Sequence, residues 1–307
     1  MRVECVPNIS EGRRKDVIDA VVAAARAAAP VALVDVSSDA DHNRSVITFV
    51  GEGQDCVAAA VALCGKAAEL IDLNQHQGEH PRMGATDVIP FVPLGDTPME
   101  HCVELARQCG SRIGRELKIP VFYYESAATR PSRRNLADVR KGQFEGLREL
   151  IGKDPERTPD AGPRDAIHPT AGAVAVGARF FLIAFNVNLG TADVQVAKDI
   201  ARRVREKDGG LSGIKAMGFL LEDRDPPLSQ VSMNVCNYRA TSPLRVYQEI
   251  EKLAAERGVA IVESELVGLA PAEALPADAA QRVKLRGFDP EEQILERKVA
   301  KISSLRG

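Results

Sequence analysis

The chain has 307 residues, 45% of them hydrophobic, and a formal net charge of −3. That length and apolar fraction support a sizeable buried core with room for two domains. The basic residues are dispersed among acidic ones, which excludes the concentrated positive face that nucleic-acid binding needs. The six cysteines (Cys5, Cys56, Cys64, Cys102, Cys109 and Cys236) show no Cys-x-x-Cys spacing, which fits reduced thiols better than disulfides or a zinc site. The opening Arg2-Val3-Glu4-Cys5-Val6 has no basic segment followed by an apolar one, and no apolar run approaches the roughly 20 residues of a membrane span. A cytoplasmic protein without membrane contact is expected.

In chain order, residues 2–6 are short and β-prone, and Asp16 to Ala28 repeats Val17, Val21 and Ala25 at helical spacing. The β-branched runs 31–36 and 45–50 predict strands separated by a polar loop, Ser37 to Arg44. An alanine-rich helix is expected from Asp55 to Leu73, with Cys56 and Cys64 as packing residues, and a strand from Thr86 to Val92. Thr97-Pro98-Met99-Glu100 resembles a capping box opening a helix. A strand at Val121 to Tyr124 and a basic helix near Ser132 to Leu150 follow, with Arg130 to Arg134 read as its solvated start. Pro155, Pro159, Pro163 and Pro169 make Lys153 to Ala171 an ordered crossover loop rather than a helix.

The same order returns after residue 178: strand 180–187, helix 191–206, strands 214–221 and 230–235, a helix begun by Ser242-Pro243, and a strand from Val259. An α+β fold is expected, with two ferredoxin-like (βαββαβ) subdomains of duplicated architecture and a ligand groove between them. The first should span residues 1–178, including the helical extension and crossover loop, and the second 179–307.

The segment Gln77 to Asp87 packs titratable groups between residues that forbid regular structure. Gly78 and Gly84 supply backbone freedom, while Pro81 fixes its own φ and pushes His80 out of the helical region. An imidazole held at such a corner beside Glu79 and Arg82 suits proton transfer near neutral pH; a structural histidine bonded to a loop carbonyl is the plainer alternative. The order His76-Gln-Gly-Glu-His80 is not His-Glu-x-x-His, and Gly78 with Pro81 works against one helix carrying both imidazoles, so no metal is expected.

Three further places could serve the same chemistry. In the loop Ser37 to Arg44, Asp39 or Asp41 could orient an imidazole and Asn43 and Arg44 could hold a carboxylate or amide, although Ser, Asp and Asn are also ordinary turn formers. Gly162 to Gly172, leading into Ala173 to Arg179, offers small residues for a flat ligand, with Arg164, His168 and Arg179 for anionic groups, or is simply a linker. Asn186 and Asn188 close an apolar strand as recognition amides, or Asn188 caps the next helix.

Several of these stretches together resemble the glutamate formiminotransferase family: Val3-Glu4-Cys5-Val6-Pro7-Asn8-Ile9-Ser10-Glu11-Gly12; Asn43-Arg44 followed by Thr48-Phe49-Val50-Gly51; Gly78-Glu79-His80-Pro81-Arg82-Met83-Gly84-Ala85; and Phe181-Leu182-Ile183-Ala184-Phe185-Asn186. The resemblance implies transfer of a formimino group from N-formimidoyl-L-glutamate to N5 of tetrahydrofolate, a co-substrate, in histidine degradation. His80 matches the family's catalytic histidine; Asp39 is expected as its helper on charge and loop position, steadying the imidazole or the positive amidine. Asn8, Asn43, Arg44, Glu79, Arg82, Gly162, Pro163, Arg164, His168, Gly172, Asn186 and Asn188 are the expected substrate- and folate-binding residues. A homodimer is implied, as is a separate downstream cyclodeaminase, because the chain stops at Gly307. Another folate-dependent enzyme (cyclohydrolase or deaminase) and a non-catalytic folate-binding protein are the competing readings.

Overall fold

The computed structural model describes residues 1–78, 81–222, 224–276 and 278–304, with the side chains of the last two undescribed. The chain divides into two compact units, Met1–Arg179 and Phe180–Gly307, and the fold is α+β. No described helix is long and apolar enough to cross a membrane.

In the first unit, β1 (Arg2–Cys5) and β2 (Asn8–Ile9) form one interrupted strand. Pro7 lacks a donor and breaks the ladder there, while Val6 N still donates to Pro90 O and Ile47 N to Pro7 O. Helix α1 (Lys15–Ala28) buries Val17, Ile18, Val21 and Ala25. Strands β3 (Ala32–Asp39) and β4 (Arg44–Glu52) pair antiparallel and lead into α2 (Gly53–Leu70), β5 (Thr86–Pro93) and α3 (Met99–Arg112). Strand β6 (Val121–Glu125), short helices α4 (Leu136–Val139) and α5 (Gln143–Leu150), and β7 (Val174–Ala178) complete the unit. The sheet order is β3-β4-β1/β2-β5-β7-β6, antiparallel except for the parallel β5-β7-β6 edge.

Alternation along the strands divides two cores. Val3, Cys5, Phe49, Ile89, Phe91, Tyr123 and Val176 meet the helical layer of α1, α2 and α3. Phe122, Tyr124, Ala173 and Ala175 point the other way, against Val139, Leu147 and Ile151 of the α4–α5 segment. The first core also takes in five of the cysteines, all buried and none in a disulfide. Burial raises their thiol pKa values, to about 12 for Cys64 and Cys102 and well above the usual range for Cys5 and Cys109. Cys236 is half-buried.

The second unit runs β8 (Ile183–Leu189), α6 (Val194–Val204), β9 (Ile214–Leu221), β10 (Leu228–Val235), α7 (Pro243–Ala255) and β11 (Ile261–Val267). Its sheet is antiparallel in the order β11-β8-β10-β9. Gly218 lets α6 approach β9, since a Cβ there would stand 2.4 Å from Lys198 N. Short helices α8 (Ala279–Arg282) and α9 (Pro290–Gln293) and then α10 (Leu295–Ser304) end the described chain.

Four expectations change in the structure. The loop between β3 and β4 shrinks from Ser37–Arg44 to residues 40–43, because Ser37, Ser38 and Asp39 pair with Val46, Ser45 and Arg44. Thr97 caps nothing: its hydroxyl donates to Arg2 O at 2.8 Å and α3 starts without a side-chain cap. The basic stretch is solvated except at Arg133, which is buried against Asp160 at 2.5 Å and donates to the Glu156 and Thr158 carbonyls, and Gly142 with φ of 88° separates α4 from α5. Asn188 does not cap α6; the Asp193 carboxylate accepts from Gln195 N in that role.

Candidate active site

The β3–β4 hairpin is the anchor of the site. Asp39 Oδ1 accepts from His42 N at 2.8 Å and closes the turn, and that amide, more than any charge, lowers the pKa of this exposed carboxyl. Asn43 follows with φ of 47°, a conformation asparagine tolerates better than most residues. Its buried amide ties three segments together: Oδ1 accepts from Gly12 N and Nδ2 donates to Gln77 O, each at 2.9 Å. Close backbone approach demands the flanking glycines. A Cβ at Gly12 would stand 2.1 Å from Asp39 O, and one at Gly78 2.4 Å from His42 O.

Arg44 leaves the hairpin toward Asn8, whose Oδ1 accepts from both Nε (2.9 Å) and Nη2. Burial pulls the guanidinium pKa down to about 10, with Asp87 opposing and Arg140 reinforcing the change, so Arg44 stays a cation at neutral pH. Asp87 reaches this place through a β-bulge: Asn8 pairs with Val88 but Ile9 with Thr86, which leaves Asp87 as the extra residue. Its buried carboxylate accepts from Met83 N (2.8 Å) and Arg140 Nη2 (2.5 Å).

Glu79 and His80 lie outside the described residues, but both flanks of that dipeptide are pinned. On the leading side, His76 Nε2 meets Asn43 O at 3.0 Å. On the trailing side, Arg82 Nε donates to His76 Nδ1 at 3.3 Å, and Nη1 and Nη2 donate to the Glu145 carboxylate at 2.8 and 2.6 Å. The Arg82 guanidinium holds the Glu145 carboxyl below its usual range, and a substrate carboxylate at Arg82 must displace Glu145 or share the fork.

The 162–172 segment divides in two. Gly162, with φ of 82°, packs against Ile119 O and Gly114, Pro163 is half-buried, and Arg164 is exposed. His168 closes a tight turn with Gly172 through paired backbone bonds of 2.9 and 3.0 Å, and its Nδ1 accepts from Ala171 N at 3.0 Å. Partial burial lowers the His168 pKa, favouring the neutral ring that this acceptor role requires. The turn borders the His80 segment: Thr170 O accepts from Leu73 N and Ala171 O from Ala85 N.

Asn8, Asp39, Asn43, Arg44, Arg82, His168 and Gly172 therefore meet around one segment of the first unit. Asn186 and Asn188 belong to the second unit, on the sheet face opposite α6 and α7. Asn188 donates to Glu263 at 3.0 Å and accepts from Gln230 at 2.9 Å, while Arg224 and Arg286 each reach Glu263 at 3.2 Å. Asn186 donates to Glu265 at 3.3 Å. Sequence reasoning missed Glu145, Arg140 and Asp87 as parts of the site; only the position of Asp87 at the end of the Gly/Pro segment hinted at its place. Among the described residues no three His, Cys, Asp or Glu side chains converge as metal ligands would.

Residues 2–179 match the family described as formiminotransferase domain, N-terminal subdomain, and residues 184–286 match the formiminotransferase domain. A glutamate formimidoyltransferase of Streptococcus pyogenes is 51% identical, covering 96% of this chain and 97% of that protein. One of Thermoplasma acidophilum is 49% identical over 99% of both chains. A formimidoyltransferase-cyclodeaminase of Dictyostelium discoideum is 44% identical, and the aligned region covers 51% of it. With both halves matched and half of all positions shared end to end, the chain belongs to the formiminotransferase domain family.

Proposed function

We propose that the chain transfers the formimino group of N-formimidoyl-L-glutamate to N5 of tetrahydrofolate, giving 5-formimidoyltetrahydrofolate and L-glutamate. The observation that carries this reading is the near-full-length identity of about half to two glutamate formimidoyltransferases. N5 attacks the amidine carbon and must lose a proton; the glutamate nitrogen must gain one before its bond to that carbon breaks. A single base with pKa near 7 can do both, and His80 is assigned that shuttle. Arg44, cationic and aimed by Asn8, is suited to a substrate carboxylate. Glu79, Arg82 and the turn from Gly162 through Pro163, Arg164 and His168 to Gly172 are assigned to substrate and folate contact. Asn186 and Asn188 extend that assignment to the second unit, and Asp39 is assigned to the hairpin beside the reacting groups.

The finer architecture belongs to the same proposal. Each unit has the βαββαβ element order, and both sheets place the four strands of that motif as fourth, first, third, second. That supports two ferredoxin-like subdomains of duplicated design, residues 1–178 and 179–307. A homodimer in the cytoplasm, working in histidine degradation, completes the reading.

Mixing the protein with tetrahydrofolate and N-formimidoyl-L-glutamate, and following folate absorbance with released glutamate and ammonia, tests it. Stoichiometric glutamate without ammonia supports transfer. Ammonia release favours a cyclohydrolase or deaminase, and folate binding without turnover favours a binding protein.

A further inference from the structure

We propose that Glu145 is a positioning residue for formimino transfer, acting through Arg82 and His76 to set the geometry of the segment that carries His80. The inference rests on the formimino-transfer reading and adds a residue outside the sequence stretches that carry the family resemblance. Glu145 lies in the first turn of α5, 65 positions beyond His80 by number (145 − 80).

The connections run in one direction across the segment. Both Glu145 oxygens accept from Arg82, which fixes the guanidinium plane. Arg82 Nε then donates to His76 Nδ1, so in the neutral ring His76 Nε2 carries the proton and donates to Asn43 O. Asn43 returns to the segment through Gln77 O. The residues entering and leaving the dipeptide 79–80 are thus tied to each other, to α5 and to the hairpin. Phe144 N donates to Arg82 O at 3.0 Å, and Arg148 reaches Asn74 Oδ1 at 2.5 Å, so α5 grips the segment at two further points.

Exposure separates positioning from packing. The Arg82 side chain is 13% exposed while that of Glu145 is 62% exposed. An ion pair whose acid stands in water adds little to folding, so removing Glu145 leaves the fold intact and leaves the half-buried guanidinium with only the longer bonds to Gln143 Oε1 and His76 Nδ1, each 3.3 Å. A proton shuttle tolerates little displacement, and misplacement by an ångström costs rate rather than binding.

Glu145→Ala and Glu145→Gln test this, using kcat and KM in the transfer assay together with backbone hydrogen exchange. For Glu145→Ala, kcat should fall about 10- to 100-fold. Its KM for either substrate should stay within about 2-fold. Exchange should rise at the described amides of 76–83 and, beyond them, only in the first turn of α5, where the Glu145 carboxylate also meets its own amide. Glu145→Gln, which keeps one acceptor oxygen, should fall between Glu145→Ala and the unmodified chain. Unchanged kcat overturns the proposal, and so does unchanged exchange at 76–83. A lower KM for N-formimidoyl-L-glutamate in Glu145→Ala also overturns it, because Glu145 would then be a competitor for Arg82 rather than its guide. An inactive unmodified chain would reject formimino transfer itself, and the exchange data would still decide whether Glu145 holds the segment.

Discussion

The polar networks of the two units are built differently. Around the first unit's hairpin, side-chain pairs such as Arg44–Asn8 and Asp87–Arg140 are backed by side chains that bind backbone: Asn43 spans Gly12 N and Gln77 O, Asp87 takes Met83 N, and Glu11 takes the amides of Arg13 and Arg14. On the second unit's sheet face, side chains bind one another: Asn188, Arg224 and Arg286 share Glu263. A side chain anchored to backbone has few ways to move without unfolding something. One anchored to other side chains can rearrange around a guest. The first design suits proton transfer, which depends on position, and the second suits recognition.

That contrast can be broken experimentally, beginning with the strongest effect. His80→Ala should lower kcat by about two to four powers of ten while folate affinity holds, as steady-state kinetics and a folate titration would report. Normal turnover would remove the chemistry from the first unit. Asp87→Ala strips a buried carboxylate from Arg140 and from the Met83 amide, and should destabilise the chain by about 3–5 kcal/mol in urea unfolding. A loss below about 1 kcal/mol would show that this network is not rigid.

Glu11 supplies a pH test. Burial raises its pKa, but the amides of Arg14 and Arg13 and the Arg14 guanidinium outweigh that and leave it lowered. Its folded pKa lies below its unfolded one, so its stabilisation is complete above the ordinary carboxylate range and is lost as pH falls through the folded value. Glu11→Gln should therefore flatten the acid limb of Tm against pH, and an unaltered limb would contradict the anchoring role. The smallest effect is expected for Asn188→Ala: about 1 kcal/mol or less in stability, with a rise in KM and an unchanged kcat. A kcat defect as large as that of His80→Ala would erase the distinction between the two networks.

Local signals in the sequence were good guides where neighbours in the chain decide the structure. The apolar spacing of α1, the β-branched run of β4 and the Ser242-Pro243 start of α7 are of this kind, and Ser242 does cap that helix through Arg245 N. They misled where a distant partner decides. Ser37, Ser38 and Asp39 have turn chemistry, yet the β4 ladder extends them. Arg133 belongs to a basic cluster, yet Asp160 and two carbonyls draw it into the interior. The same physics governed the site. Asn43 and Arg44 could be proposed from their own short loop, whereas Glu145 meets Arg82 across 63 positions and Arg140 meets Asp87 across 53. No local pattern encodes such pairings, because each partner is an ordinary charged residue in its own neighbourhood.

The cysteine distribution has a practical consequence. Thiolates, not thiols, react with maleimides, and burial encloses Cys5, Cys64, Cys102 and Cys109 and raises their thiol pKa values, with Cys56 buried beside them. Cys236, just past the end of β10, is the most accessible of the six. The chain therefore carries its own favoured attachment point for a fluorophore or spin label, on the second unit and outside the buried cysteines of the first.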